Sequence, residues 1–177
     1  MSVKEIEEVV DVVVKKVARK SVGLYYTLWA TFPPVLTLVF SIVGGGWAAL
    51  VVFFILMAIY MAYTVKILIE ISKIKRERIS LTWVFYPAAI FIVLAVAFIV
   101  SGNVWRISFL AAGLLITSGV YWYLKASGAG ARWFDHLALL PIPIIFATAP
   151  EYYGLWSVMT ITWLYAGVKS LVGLLEE

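Results

Sequence analysis

The chain has 177 residues, of which 64% are hydrophobic and only 14% are charged, and its mean hydropathy is +1.01. Because soluble domains carry roughly 25% charged residues, this composition excludes a water-soluble core and predicts an all-α integral membrane protein. Cysteine is absent, which excludes disulfides and thiolate metal sites. The formal charge is +4, and because the cations lie at helix ends, they indicate membrane topology and not nucleic-acid binding.

Residues 1–21 are predicted to form an amphipathic helix and not a signal peptide, because acidic residues come first and no cleavage site follows. Ser2 and Glu5 have the spacing of a capping box. Apolar residues then recur every three or four positions and form one stripe, which comprises Val3, Ile6, Val10, Val13 and Val17. Two roles are open for this helix: lying on the membrane surface, or docking a cytosolic partner or second subunit.

Residues 22–177 are predicted to form a six-helix transmembrane domain, since each apolar segment approaches the roughly 20 residues that cross a bilayer as an α-helix. The predicted spans are 22–43, 47–70, 81–101, 104–124, 132–149 and 152–173. Nearly all cations flanking these spans fall on one side, with Arg106 as the exception. The positive-inside rule therefore predicts a multi-pass protein of the cell membrane with both termini cytoplasmic.

Very short outer connections, such as Gly44–Gly46, predict three antiparallel hairpins. Each rising helix contains proline and each outer turn is followed by tryptophan, so a threefold repeat is one interpretation, and ordinary aromatic belts are the other. In size, number of spans and placement of the termini, this plan resembles the membrane-embedded substrate-binding components of energy-coupling factor vitamin transporters. The resemblance is one of plan alone, and a shared plan does not fix function.

Asp135 and His136, at the inner start of the fifth span, are the first candidates for a functional site. Arg132 lies three and four residues before them, so local pairing at the membrane interface explains the three residues without any substrate. The alternative is that Asp135 and His136 face an internal cavity and take part in proton coupling or cation binding.

Two proline pairs interrupt predicted spans and give the second group of candidates. Pro141 and Pro143 break the fifth span, and Pro33 and Pro34 break the first. Proline removes a backbone donor, and exposed backbone inside a membrane persists only where it faces protein or water. Discontinuous helices often line transporter binding sites, so these four prolines are predicted to border a solute or ion pathway.

Arg106 and Glu151 are the only charges predicted on the outer side, and their opposite signs suggest an ion pair that clamps the outer mouth or attracts a ligand. Small residues at helical spacing predict close helix packing first and oligomer contacts second. They are Ser108, Ala112, Gly113 and Thr117 in the fourth span and Ala166 and Ser170 in the sixth.

Enzyme and cofactor motifs are absent: the sequence contains no HExxH, GxSxG or phosphate-binding glycine loop. The leading hypothesis is therefore a small transporter or transporter component without a cofactor, acting in the lipid bilayer. The alternatives are a non-catalytic subunit of a membrane complex and, less favoured, a lipid-modifying enzyme. The absence of glutamine, with Asn103 as the only asparagine, is typical of thermophile proteins.

Overall fold

The computed structural model describes residues 3–44, 46–75, 92, 104–148 and 154–174. The regular elements in these ranges are all α-helices, which confirms the predicted all-α class. They are α1 (Val3–Ala30), α2 (Phe32–Val43), α3 (Trp47–Lys75), α4 (Val104–Ala126), α5 (Trp133–Leu139), α6 (Ile142–Thr148) and α7 (Gly154–Val172).

Within the described ranges, four helical segments are long and apolar enough to cross a membrane: Glu5–Val43, Trp47–Ile67, Arg106–Ala126 and Gly154–Val172. These overlap the first, second, fourth and sixth predicted spans. The third predicted span, 81–101, lies outside the described residues apart from Ile92. The fifth forms the short helices α5 and α6, and together they make an apolar segment, Trp133–Thr148, that is shorter than the roughly 20 residues of a spanning helix.

The first helix is longer than the sequence indicated. The amphipathic segment and the first span were divided at residue 21, but α1 continues through this position to Ala30. The chain turns at Thr31 and α2 begins at Phe32, with proline in its first turn. Pro33 and Pro34 occupy positions where a helix needs no amide donors, so they begin α2 instead of interrupting it.

Helices α1 and α7 pack closely in antiparallel directions because small residues line their contact. A methyl group added at Gly23 would lie 3.0 Å from the Cβ of Ser170, and one added at Gly167 would lie 3.0 Å from the backbone nitrogen of Thr27. Ala166, from the predicted seam in the sixth span, is fully buried. The two backbones can approach this closely only where side chains are small or absent.

Helices α4 and α6 also pack against each other in antiparallel directions. A methyl group at Gly113 would lie 2.8 Å from the Cα of Pro143, and Ala112 is fully buried. The N-terminal part of α1, the C-terminal ends of α4 and α7 and the start of α5 therefore lie together. We call this the cation-rich end, since it carries Lys15, Lys16, Arg19, Lys125, Arg132 and Lys169.

The described core lies between α1, α3, α4, α5, α6 and α7 and contains many aromatic rings. Trp163 of α7 is 1% exposed, with its ring centre 5.4 Å from that of Tyr26 and 5.5 Å from that of Tyr25. In contrast, residues Glu5 to Val13 of α1 are exposed. The apolar stripe at Ile6, Val10 and Val13 thus has no packing partner within the described residues, and its role on a membrane or a partner stays a prediction.

Candidate functional site

The centre of the candidate site is a buried ion pair between α1 and α5. Arg19 is 2% exposed and Asp135 is 0% exposed, and Nη1 of Arg19 donates to Oδ2 of Asp135 at 2.6 Å. The backbone N–H of Arg132 also donates to Oδ2, at 2.7 Å. Because Asp135 is the third residue of α5, its carboxylate satisfies a backbone donor at the helix start while it neutralises the guanidinium.

The second guanidinium nitrogen of Arg19 fixes the turn between α4 and α5. Nη2 donates to the carbonyl oxygens of Ala129, at 3.3 Å, and of Gly130. Gly130 has a φ of 66°, a left-handed conformation that glycine adopts without strain. The Arg19 guanidinium also lies 5.6 Å from the centre of the Phe134 ring. One side chain from α1 therefore holds both the turn and the first residues of α5.

Several polar atoms around the pair are buried and have no hydrogen-bond partner among the described residues. They are Oδ1 of Asp135, Nε of Arg19, the hydroxyl of Tyr26 and Oγ of Ser170. The Tyr26 phenol also interacts electrostatically with the Asp135 carboxylate. Buried polar atoms in native proteins are usually bonded to protein or water, and the Tyr26 phenol and the Asp135 carboxylate are partners for each other within the packing.

The structure separates Asp135 from His136. Asp135 points into the helix packing, whereas His136 is exposed and its Nδ1 lies 2.6 Å from the hydroxyl of Tyr121. Arg132 is half-buried and contacts Asp135 through its backbone N–H. The expected local cluster of Arg132, Asp135 and His136 is therefore divided between two faces of α5, and the guanidinium that pairs with Asp135 belongs to Arg19.

Arg19 belongs to a run of cations on α1 with Lys15, Lys16 and Lys20, so its charge alone did not distinguish it in the sequence. A signal for its burial was present, because Arg19, Val22 and Tyr26 are spaced by three and four residues and so share one helix face. Val22 and Tyr26 are both buried. A charged residue in register with a buried apolar face indicates a partner inside the fold, and Asp135 provides it.

Side chains from two neighbouring helices bond two of the carbonyls at the break around Pro141 and Pro143. Pro143 lacks the N–H that would bond to the carbonyl of Leu139, and Oγ1 of Thr117 donates to that carbonyl at 3.0 Å instead. Nε1 of Trp163 donates to the carbonyl of Ala138 at 2.7 Å. Backbone freed at this break is therefore used in packing between α4, α5 and α7.

At the first break, Pro33 is buried and Pro34 is exposed. The hydroxyl of Thr31 donates to the carbonyl of Leu28 at 2.6 Å and lies 2.8 Å from the hydroxyl of Tyr60 on α3. One cavity of about 430 Å³ opens beside this break, between α1 and α3. Most of the surface that lines it is apolar, although four of the lining residues carry polar groups: Thr27, Thr31, Tyr63 and Lys66.

A second cavity, of about 250 Å³, lies at the cation-rich end beside Arg19. It is lined by Lys15, Lys16, Arg19 and Arg132, together with Val12, Ala129 and Leu174. The wall of this cavity therefore includes one member of the buried ion pair. Of the outer candidates, Arg106 is exposed in the first turn of α4, while Glu151 lies outside the described residues, so their pairing stays a prediction.

The chemistry of the site is limited to what these side chains supply. No group of three or more histidine, aspartate or glutamate residues that could hold a metal ion occurs in the part of the chain that the structure describes. Compared with known proteins, the chain matches no family model, no curated protein and no solved structure. The inference of function therefore depends on the geometry of the site alone.

We predict that Arg19 and Asp135 are energetically coupled. Replacing Asp135→Asn or Arg19→Met should lower the free energy of unfolding by about 3–5 kcal/mol, because each leaves its partner charged and unpaired in a buried position. The double variant should lose less than the sum of the single variants, with a coupling energy of about 1–3 kcal/mol. Equilibrium unfolding in mixed micelles measures all four values.

The matched controls are Asp11→Asn and Lys20→Met, which remove the same charges at exposed positions of α1. Each should change the free energy of unfolding by no more than about 0.5 kcal/mol. Strictly additive effects of Arg19→Met and Asp135→Asn would contradict the ion pair.

We also predict that Thr117 compensates for Pro143. Thr117→Val should lower stability by about 0.5–1.5 kcal/mol in the native background, the range for hydrogen bonds between membrane helices. In a Pro143→Ala background the same change should cost nearly nothing, because the restored N–H of residue 143 bonds to the Leu139 carbonyl. Thr162→Val is the control, since its exposed hydroxyl donates to Val158 of its own helix. An equal cost of Thr117→Val in both backgrounds would rule out this compensation.

Proposed function

We propose that the chain is a small membrane transporter, or a component of one, that moves a small solute or ion along a pathway bordered by the proline-broken first and fifth segments. The observation that supports this proposal is the fully buried Arg19–Asp135 pair between these two segments. Ionisable residues within membrane helices are costly to retain and characteristically occur on ion and substrate pathways. In this proposal the pair forms the inner gate.

The gate is opened by a ligand and not by thermal motion alone. Separating Arg19 from Asp135 without replacement partners would leave two buried charges unpaired, which costs several kcal/mol. An anion can replace the carboxylate on Arg19, and a proton or cation can replace the guanidinium on Asp135. Oδ1 of Asp135 and Nε of Arg19, which are unbonded within the described residues, are the atoms available for this exchange.

The topology in this proposal is that of the sequence analysis: six spans in three antiparallel hairpins in the cell membrane, with both termini in the cytoplasm. The antiparallel packing of α1 on α7 supports it, because residue 23 lies against residue 170 and residue 27 against residue 167. This register brings the N-terminal part of α1 and the C-terminal end of α7 to the same end of the molecule. The same end carries most of the described cations, which favours a cytoplasmic position.

A second candidate function is a non-catalytic subunit of a membrane complex. The observation that favours it is the closed proline break, since Thr117 and Trp163 bond the carbonyls that a pathway would have exposed. The exposed apolar stripe of α1 would then contact a partner or a second copy of the chain. In this role the Arg19–Asp135 pair contributes only to stability and assembly.

Flux measurements on the purified protein in liposomes separate these functions. Gradients of phosphate, chloride, acetate, sodium and potassium are applied in turn, with an internal pH dye and a membrane-potential dye as readouts. A transporter with this gate should show solute-driven flux with at least one gradient. The double variant Arg19→Met/Asp135→Asn should lower that flux by at least about tenfold while it remains folded, because it removes both exchangeable charges without leaving either one unpaired.

Asp11→Asn and Lys20→Met should leave the flux within about twofold of the native value, since both positions are exposed. His136→Ala tests whether the exposed histidine belongs to the pathway with Asp135. Unchanged flux in the double variant would contradict the gate. Absence of flux with every gradient, together with an effect of Asp135→Asn on stability alone, would contradict the transporter and favour the accessory subunit.

A further inference from the structure

The cavity of about 250 Å³ at the cation-rich end has a composition that differs from that of the surrounding helix packing. Four of its lining residues are the cations Lys15, Lys16, Arg19 and Arg132, and the described residues that line it include no acidic one. The charge of Arg19 is neutralised by Asp135, which is not among the lining residues. The ion pair of Arg19 and Asp135 is neutral, so Lys15 and Lys16 give the lining its positive charge.

The chain holds part of this lining in place. Arg19 is anchored by Asp135 and by the carbonyls of Ala129 and Gly130. Gly128 has a φ of 70°, and a methyl group added there would lie 3.3 Å from Cε of Lys15. The aliphatic stem of Lys15 thus packs against the turn between α4 and α5. Preorganised cations lose less conformational entropy on binding an anion than free ones do.

The chemistry of the lining favours an anion such as phosphate over a neutral ligand. Guanidinium groups bind phosphate oxygens with directed hydrogen bonds, and lysine ammonium groups add compact positive charge. The volume of about 250 Å³ is below the range of about 300–1,000 Å³ that is typical of pockets for drug-sized ligands. A headgroup fits this space better than a whole vitamin-sized solute does.

Two further features favour a lipid as the source of the phosphate. Val12 and Leu174 place apolar surface directly beside the cations. The cavity also lies at the cation-rich end, which faces the cytoplasm in the topology proposed above. Basic pockets at the cytoplasmic ends of membrane helices are suited to anionic headgroups.

We propose that this cavity binds the phosphate of an anionic phospholipid. This site is separate from the transport proposal, because binding of a structural lipid requires neither flux nor opening of the Arg19–Asp135 gate. Arg19 contributes to the wall of the cavity. Lys15 and Lys16 supply charge at the mouth.

Native mass spectrometry of the detergent-solubilised chain tests the proposal, with dioleoyl phosphatidylglycerol and dioleoyl phosphatidylcholine as probes. The two lipids have identical acyl chains, so their difference reports on the headgroup. Phosphatidylglycerol should bind at least about tenfold more tightly. Lys15→Gln/Lys16→Gln should weaken its binding by about 10- to 30-fold, as expected for two lysines worth about 1 kcal/mol each.

Lys20→Gln/Lys125→Gln is the matched control, because both lysines are exposed near the cation-rich end but neither lines the cavity. It should weaken binding by less than about threefold. Equal affinity for the two lipids, or equal loss in the two double variants, would overturn the site. Thermal unfolding checks that each variant is folded.

Glycerol 1-phosphate distinguishes a lipid from a soluble phosphate. If it displaces phosphatidylglycerol at an equal concentration, the lipid assignment is overturned and the cavity is a site for soluble phosphate. Glu176 and Glu177 follow the lining residue Leu174 closely in the sequence. Glu176→Gln/Glu177→Gln should strengthen binding or leave it unchanged, because it removes negative charge two and three residues after Leu174 in the sequence, and weaker binding would count against an anion site.

Discussion

A guanidinium and a carboxylate that are both removed from water must neutralise each other or destabilise the fold, and Arg19 and Asp135 meet this constraint across two helices. The pair determines more than its own two positions. Asp135 caps the start of α5 through the N–H of Arg132, and Arg19 binds the carbonyls of the preceding turn. The docking of α1, the geometry of the turn after α4 and the first residue of α5 therefore depend on one interaction. Its position between the proline-broken segments is also the basis of the proposed gate.

The proline breaks have a different physical role from the one the sequence indicated. In a membrane, a carbonyl left without a donor is costly, so a break must be satisfied by neighbouring groups. At Pro143 the donors come from Thr117 and Trp163, which join α4 and α7 to the broken segment. A break closed in this way is a packing feature in the described conformation. If the transporter proposal is correct, opening must exchange these hydrogen bonds for bonds to water or to the solute.

Much of the fold was accessible from local sequence patterns. Apolar length predicted the helical class and four of the long segments, while small residues such as Gly113 and Ala166 predicted close packing. Proline positions located both helix breaks. What local patterns could not show was which distant side chains meet, because Arg19 and Asp135 are 116 residues apart. The chain register that pairs them depends on the antiparallel packing of α1 and α7. The separation of Asp135 from His136, in contrast, follows from helix geometry, since neighbouring residues on a helix point to different faces.

The central claim is that Arg19 and Asp135 are in direct contact inside the membrane domain. Solid-state NMR of the chain in lipid bilayers tests it most directly, with arginine labelled with ¹⁵N only at the guanidinium Nη atoms and aspartate labelled with ¹³C at Cγ, because the backbone nitrogen of Arg132 also lies close to the Asp135 carboxylate. Asp11 and Asp135 are the only aspartates, so Asp11→Asn leaves one labelled carboxylate. The account predicts strong dephasing of its signal by arginine nitrogen, as the 2.6 Å contact requires, and loss of that dephasing in Arg19→Lys. A carboxylate signal that shows no arginine nitrogen nearby, or one unchanged by Arg19→Lys, would contradict it.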